Sequence, residues 1–115
     1  MDKELGEIVS GFLVELRRGT VILCVLSRLR RAAYGYQLIT DLAETGMPVE
    51  ANTLYPLLRR LEAQGLLESA WNTEGTKPRK YYAATALGLE ALSALKSHWQ
   101  TAARNMDKIL EEEPS

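Results

Sequence analysis

The chain has 115 residues and a mass of 12.9 kDa, with 46% hydrophobic, 25% charged and 7% aromatic residues. That near-average globular composition excludes a disordered tail or a fibre, and the length leaves room for one domain with one modest core. Fourteen Lys and Arg against fifteen Asp and Glu give a net charge of −1, so bulk charge alone points to no anionic partner.

Charge is unevenly distributed, however. Residues 1–16 carry Lys3 against Asp2, Glu4, Glu7 and Glu15, whereas residues 17–31 carry five arginines and no acid. Residues 72–80 are again positive, with Lys77, Arg79 and Lys80 against Glu74. One cysteine, Cys24, excludes an intrachain disulfide and fits a reducing compartment, so a cytoplasmic location is expected. The longest apolar run, residues 21–26, is far shorter than the roughly 20 residues that span a bilayer, and no signal pattern opens the chain, so no membrane partner is expected.

In chain order, Leu5, Ile8, Val9, Phe12, Leu13 and Leu16 recur at helical spacing and predict a first helix ending near Arg18-Gly19. Thr20 is placed to cap a second helix that is apolar almost all round, with Val21, Ile22, Leu23, Val25, Leu26 and Leu29. A third helix starts at Tyr34-Gly35-Tyr36, turns Leu38, Ile39, Leu42 and Ala43 inward, and ends at Thr45-Gly46. Residues 51–64 predict a fourth helix with the stripe Leu54, Leu57, Leu58 and Leu61, closed by Gly65. Pro56 inside it predicts a late start or a local kink.

Two strand-like runs, 67–71 and 79–84, flank the turn-rich segment Asn72-Thr73-Glu74-Gly75-Thr76-Lys77-Pro78 and predict a hairpin with a long loop. Thr85 then caps a last helix of more than 20 residues, on which Leu92, Leu95, Trp99, Ala102, Met106 and Ile109 repeat at a/d heptad spacing. The tail, residues 111–115, is expected to fray.

This order of elements predicts a mainly α fold with a small β-hairpin: a winged helix-turn-helix with an N-terminal helix and a long C-terminal dimerisation helix. The parts are an N-terminal helix supporting the dimer (1–18), the winged helix-turn-helix (19–84), the dimerisation helix (85–110) and the tail. Such a layout suits DNA, because a helix fits the major groove while a hairpin reaches neighbouring phosphates or the minor groove. With the leucine stripe turned inward, Asn52, Pro56, Arg59 and Ala63 fall on the outer face of the fourth helix, flanked by Thr53, Tyr55 and Arg60. Asn and Arg make bidentate contacts to base edges, and Thr, Tyr and Arg donate to phosphates. Lys77, Arg79 and Lys80, at the tip of the wing, suit phosphate contacts. The competing class is a protein-interaction module, a winged helix whose basic wing is merely solvated and whose seam recruits a different protein.

Several of these residues resemble a known family. Tyr34-Gly35-Tyr36-Gln37-Leu38, then Thr53-Leu54-Tyr55-Pro56-Leu57-Leu58-Arg59-Arg60-Leu61-Glu62 with Gly65-Leu66-Leu67, then Arg79-Lys80-Tyr81-Tyr82 with Thr85 and Gly88, are similar to the signature of PadR-type regulators. The resemblance spans about residues 19–110. The single short C-terminal helix resembles the family's small subgroup, which includes the lactococcal multidrug-resistance repressor. It implies a homodimeric repressor with Asn52, Thr53, Tyr55 and Arg59 on the recognition helix, Lys77, Arg79 and Lys80 on the wing, and Tyr34 near the DNA backbone. The sequence departs from the pattern at Glu50, where the family often carries Ser, and at Ala83-Ala84. Glu50 complements the helix dipole yet repels a phosphate.

The heptad seam exceeds what a small core can bury, so a partner must cover it. The stripe of the first helix, with Leu5, Ile8 and Phe12, is its natural second cover. A two-fold dimer with half-sites about 10 bp apart is expected. The resemblance further nominates Trp99 as a platform for a small planar aromatic effector, walled by Leu95, Ala102, Ala103 and Met106 with Phe12 nearby; the plain alternative is that Trp99 is interface core. His98 and Cys24 stand alone on separate helices, so no metal or cofactor is expected. No nucleophile-base set, phosphate-cradling loop or carboxylate pair suggests an enzyme. Cys24 reads as a small core side chain.

Overall fold

The computed structural model describes residues 2–114; Met1 and Ser115 lie outside the described residues. Eight elements follow in the order α1 (Lys3–Arg18), α2 (Val21–Arg28), β1 (Ala33–Tyr34), α3 (Gly35–Glu44), α4 (Ala51–Ala63), β2 (Leu67–Asn72), β3 (Arg79–Ala84) and α5 (Ala86–Glu111). The sheet has three antiparallel strands in the order β1-β3-β2. The expected hairpin is therefore present and gains a short third strand, which the two residues Ala33 and Tyr34 were too few to announce by alternation. Ala33 pairs with Tyr82 and Tyr34 with Tyr81.

Eleven side chains form the core, from Val25, Leu26 and Leu29 at α2 through Leu38 and Leu42 of α3 and the α4 stripe to Leu67 and Tyr82 of the sheet. Among the described residues no polar side chain is buried. The helix ends that frame this core are set by glycine. Gly46 (φ 85°) and Gly65 (φ 79°) lie in the left-handed region just past α3 and α4. At each, the next amide reaches back across the last turn, Met47 N–H to the Leu42 carbonyl and Leu66 N–H to the Leu61 carbonyl, both at 2.9 Å. A side chain at either position would strain that turn.

Thr85 places α5. Its Oγ1 accepts the Gly88 N–H at 3.0 Å and donates to the Gly65 carbonyl at 2.6 Å, so one hydroxyl caps α5 and ties it to the end of α4. Gly88, the one buried residue of α5, lies so close to the Leu66 carbonyl that a Cβ there would collide with it. Thr20 behaves differently from expectation: its hydroxyl donates to the Arg17 carbonyl at 2.8 Å, closing α1, and α2 has no side-chain cap. Asp2 does cap α1, accepting the Leu5 N–H at 2.7 Å. Pro56 brings no late start, because α4 begins at Ala51 and Pro56 falls in its second turn. There its missing N–H leaves the Asn52 carbonyl, on an exposed residue, to water.

The radius of gyration is 17.2 Å, against about 13 Å for a compact domain of this length, and the molecule extends 62 Å along its major axis. The elongation comes from α1, which buries none of its residues, and from the distal part of α5.

Candidate nucleic-acid interface

With Leu54, Leu57, Leu58 and Leu61 in the core, α4 presents Asn52, Thr53, Pro56, Arg59, Arg60 and Ala63 to solvent, as the stripe dictates. Among the described residues the ion pairs are Arg28–Asp41 (3.1 Å) and Lys80–Glu62 (3.7 Å). Arg59, Arg60, Lys77 and Arg79 thus have no acidic partner and keep their charge available.

Tyr55 is less free. Its ring lies against Gly35, at the start of α3, so closely that any Cβ at position 35 would enter the ring, and the side chain keeps only 36% of its exposure. A Cβ at position 35 would have to push the tip of this ring aside, and Tyr55 is as much the bolt between α3 and α4 as a surface donor. Tyr34 closes β1 and meets Tyr81 edge-to-face at 5.5 Å between centroids. The Arg79 guanidinium stacks over the Tyr34 ring at 4.5 Å, which holds that charge where the wing loop meets β3.

The three wing cations occupy distinct positions. Only Lys77 lies in the connecting loop; Arg79 opens β3, and Lys80 is turned toward α4, so it does not sit at the wing tip. There its Nζ faces Glu62 Oε1 and the Tyr82 ring, 5.3 Å from the centroid. Glu62 also accepts a short hydrogen bond from the Ser69 hydroxyl on its other oxygen. One carboxylate in the last turn of α4 therefore grips both wing strands. Nothing local in the chain announces this clamp, because it joins residues 7 and 18 positions from Glu62 that meet only through sheet register.

The loop between the strands is shaped locally. The Glu74 N–H donates to Asn72 Oδ1 at 2.9 Å, and Gly75 turns with φ 92°. Within the arginine-rich segment, Arg28 pairs with Asp41 of α3 and the Arg30 Nε–H donates to the Ser27 carbonyl at 2.9 Å, so part of that charge is structural.

On the other side of the molecule, Leu5, Ile8 and Phe12 of α1 and Leu95, Trp99, Ala102, Met106 and Ile109 of α5 are exposed. Leu92 differs from the expected seam: with Ala91 it packs against the chain's own core. The exposed apolar surface includes Leu87, Leu89 and Leu110, which the heptad reading omitted. Trp99 is half exposed and Ala103 half buried, and the concavity beside Phe12 is lined by α1 residues alone. Trp99 is not among the residues that line the concavity at Phe12. Two aromatic residues absent from the sequence-based site, Tyr36 and Trp71, are exposed between α4 and the wing. The signal for Trp71 was its spacing of two and four from Ser69 and Leu67, which sets it on the inner sheet face.

Burial pushes the Cys24 thiol above its ordinary range, with Arg28 pulling weakly the other way. Among the described residues no three His, Cys, Asp or Glu side chains gather as a metal site, and no helix is long and apolar enough to cross a membrane.

These features coincide with those of known proteins. Residues 22–94 match the model of the transcriptional regulator PadR-like family. The transcriptional regulator Rv3488 of Mycobacterium tuberculosis is 38% identical over 80 residues, covering 69% of this chain and 75% of that protein. The crystal structure of a PadR family transcriptional regulator from Eggerthella lenta superposes with a TM-score of 0.92 at 50% identity, covering 97% of this chain and all of that one. A PadR-like regulator from Bacillus cereus gives 0.77 at 30% identity, over 86% and 99% of the two chains. A winged helix with a C-terminal helix is thus what this chain shares with its relatives, and it belongs to the PadR-like family of transcriptional regulators.

Proposed function

We propose that the protein is a sequence-specific DNA-binding repressor that acts as a homodimer on a palindromic operator and is released by a small planar aromatic ligand held at the dimer pore. The observation that carries the DNA-binding reading is the face of α4: four leucines buried beneath Asn52, Thr53 and Arg59, with Arg59 and Arg60 unpaired. Asn and Arg on such a face match the donor and acceptor pattern of the major groove, while Arg60, Lys77 and Arg79 suit the phosphates alongside.

Dimerisation is supported by the apolar surface that α1 and α5 leave uncovered and by the elongated shape of the single chain. A two-fold axis along α5 would bring Trp99 near its symmetry mate and supply the second wall that one chain lacks, with Leu95 and Ala103 beside it and Phe12 approaching from α1. Effector binding there would change the separation of the two α4 helices. Selecting bound fragments from the source genome tests the reading: a recovered palindrome supports it, and the lack of any enriched site or steep salt dependence favours the interaction module. Titrating planar aromatic compounds against wild type and Trp99→Phe tests the ligand: quenching lost in the variant supports the site, and equal quenching in both refutes it.

A further inference from the structure

Between α4 and the wing runs an open cleft of about 370 Å³, lined by Tyr36, Tyr55, Arg59, Trp71, Arg79 and Lys80 among others. Trp71 is its anomaly. It sits near the end of β2, paired with Lys80 across the ladder and therefore on the same sheet face as Lys80 and Tyr82, yet it remains 64% exposed. Tyr36, in the first turn of α3, is 69% exposed on the facing side. Neither residue helps hold the core together.

Resting on the DNA-binding reading above, the path of the nucleic acid follows from duplex geometry. A helix in the major groove and a wing at the adjacent minor groove are separated by one sugar–phosphate strand, which must pass between them. The cleft matches such a strand chemically. Arg79 supplies an unpaired cation for phosphate, the phenol of Tyr36 supplies a neutral donor, and the indole face supplies the apolar surface that a deoxyribose lacks in water, while Arg59 on the α4 wall reaches past the strand to the bases. We infer that this cleft seats the strand between the two grooves, with Trp71 packed on a sugar and the Tyr36 hydroxyl donating to a phosphate. Trp71 thereby adds affinity for duplex DNA irrespective of sequence.

The test compares wild type, Trp71→Ala, Trp71→Phe and Tyr36→Phe by fluorescence anisotropy on two duplexes, the genome-selected site and a mixed-sequence control at low salt. Trp71→Ala should weaken both by about tenfold, with an unchanged salt slope because the indole carries no charge. Trp71→Phe should recover most of the loss, and Tyr36→Phe should cost about threefold to tenfold on both. The thermal midpoint of the free protein should not move in any variant, which separates contact from folding. Binding by Trp71→Ala within twofold of wild type, or a loss confined to the selected duplex, overturns the strand-seating inference while leaving DNA binding intact. Failure of wild type to bind either duplex overturns both.

Discussion

Replacing Lys77 by alanine removes an exposed charge that forms no ion pair among the described residues, so its effect reports the interface rather than the fold. Lys77 sits in the loop between β2 and β3, exposed and without an acidic partner. Arg60 and Arg79 are likewise exposed and without an acidic partner, so the proposed homodimer would set three cations per protomer, six in all, against phosphates. Releasing condensed counterions at each phosphate contact predicts a slope of log K against log salt of about −5.4, and a loss of roughly 2,000-fold in affinity between about 50 and 200 mM salt. Lys77→Ala removes two contacts from the dimer, so the slope should shrink to about −3.6 and the same salt step should cost only about 150-fold. Anisotropy titrations of a labelled duplex at several salt concentrations measure both slopes, and the loss should be equal for selected and unrelated sequences because phosphates carry no sequence information. A wild-type slope shallower than about −2, or a slope that Lys77→Ala leaves unchanged, would refute the placement of the wing on the DNA backbone.

Arg59→Ala should instead cost about 1–3 kcal/mol on the selected site and relax the preference at one base pair, measured by competition with single-position variants of the operator. Glu62→Gln keeps an acceptor for the Ser69 hydroxyl but frees Lys80, so binding should tighten at low salt and the slope should steepen by up to about 1.8 for the dimer; an unchanged slope would show that Lys80 does not reach DNA even when released. Gly35→Ala forces a Cβ into the Tyr55 ring and should destabilise the fold by about 1–3 kcal/mol, a penalty that largely disappears in a Tyr55→Ala background when the double-mutant cycle is measured by denaturant unfolding. The raised thiol pKa of Cys24 makes the unfolded chain lose that proton first, so this contribution to stability is complete below the ordinary thiol range and is lost as pH rises through it toward the folded value. Denaturant midpoints should therefore fall more steeply at alkaline pH for wild type than for Cys24→Ala.

The sequence by itself determined the parts whose cause is local. The period of Leu54, Leu57, Leu58 and Leu61 decides which face of α4 is inside, and hence that Asn52, Arg59 and Arg60 are outside. Gly46 and Gly65 decide where α3 and α4 stop, because only glycine adopts their backbone at no steric cost. The apolar repeat of α5 likewise announces a surface that one chain leaves open. Tertiary structure alone decided the partnerships. Lys80 and Arg79 are neighbours in sequence, yet the pleat sends one to Glu62 and the other onto Tyr34. Leu92 follows the heptad repeat, yet the capping of α5 against the end of α4 by Thr85 presses it onto the core. Tyr55 becomes a bolt because α3 offers a glycine at the point of contact, and Trp71 lines the cleft beside α4 because the register sets it opposite Lys80. Periodicity fixes the direction in which a side chain leaves its own element; what it meets depends on segments distant in the chain, whose relative placement is settled only when the whole core packs.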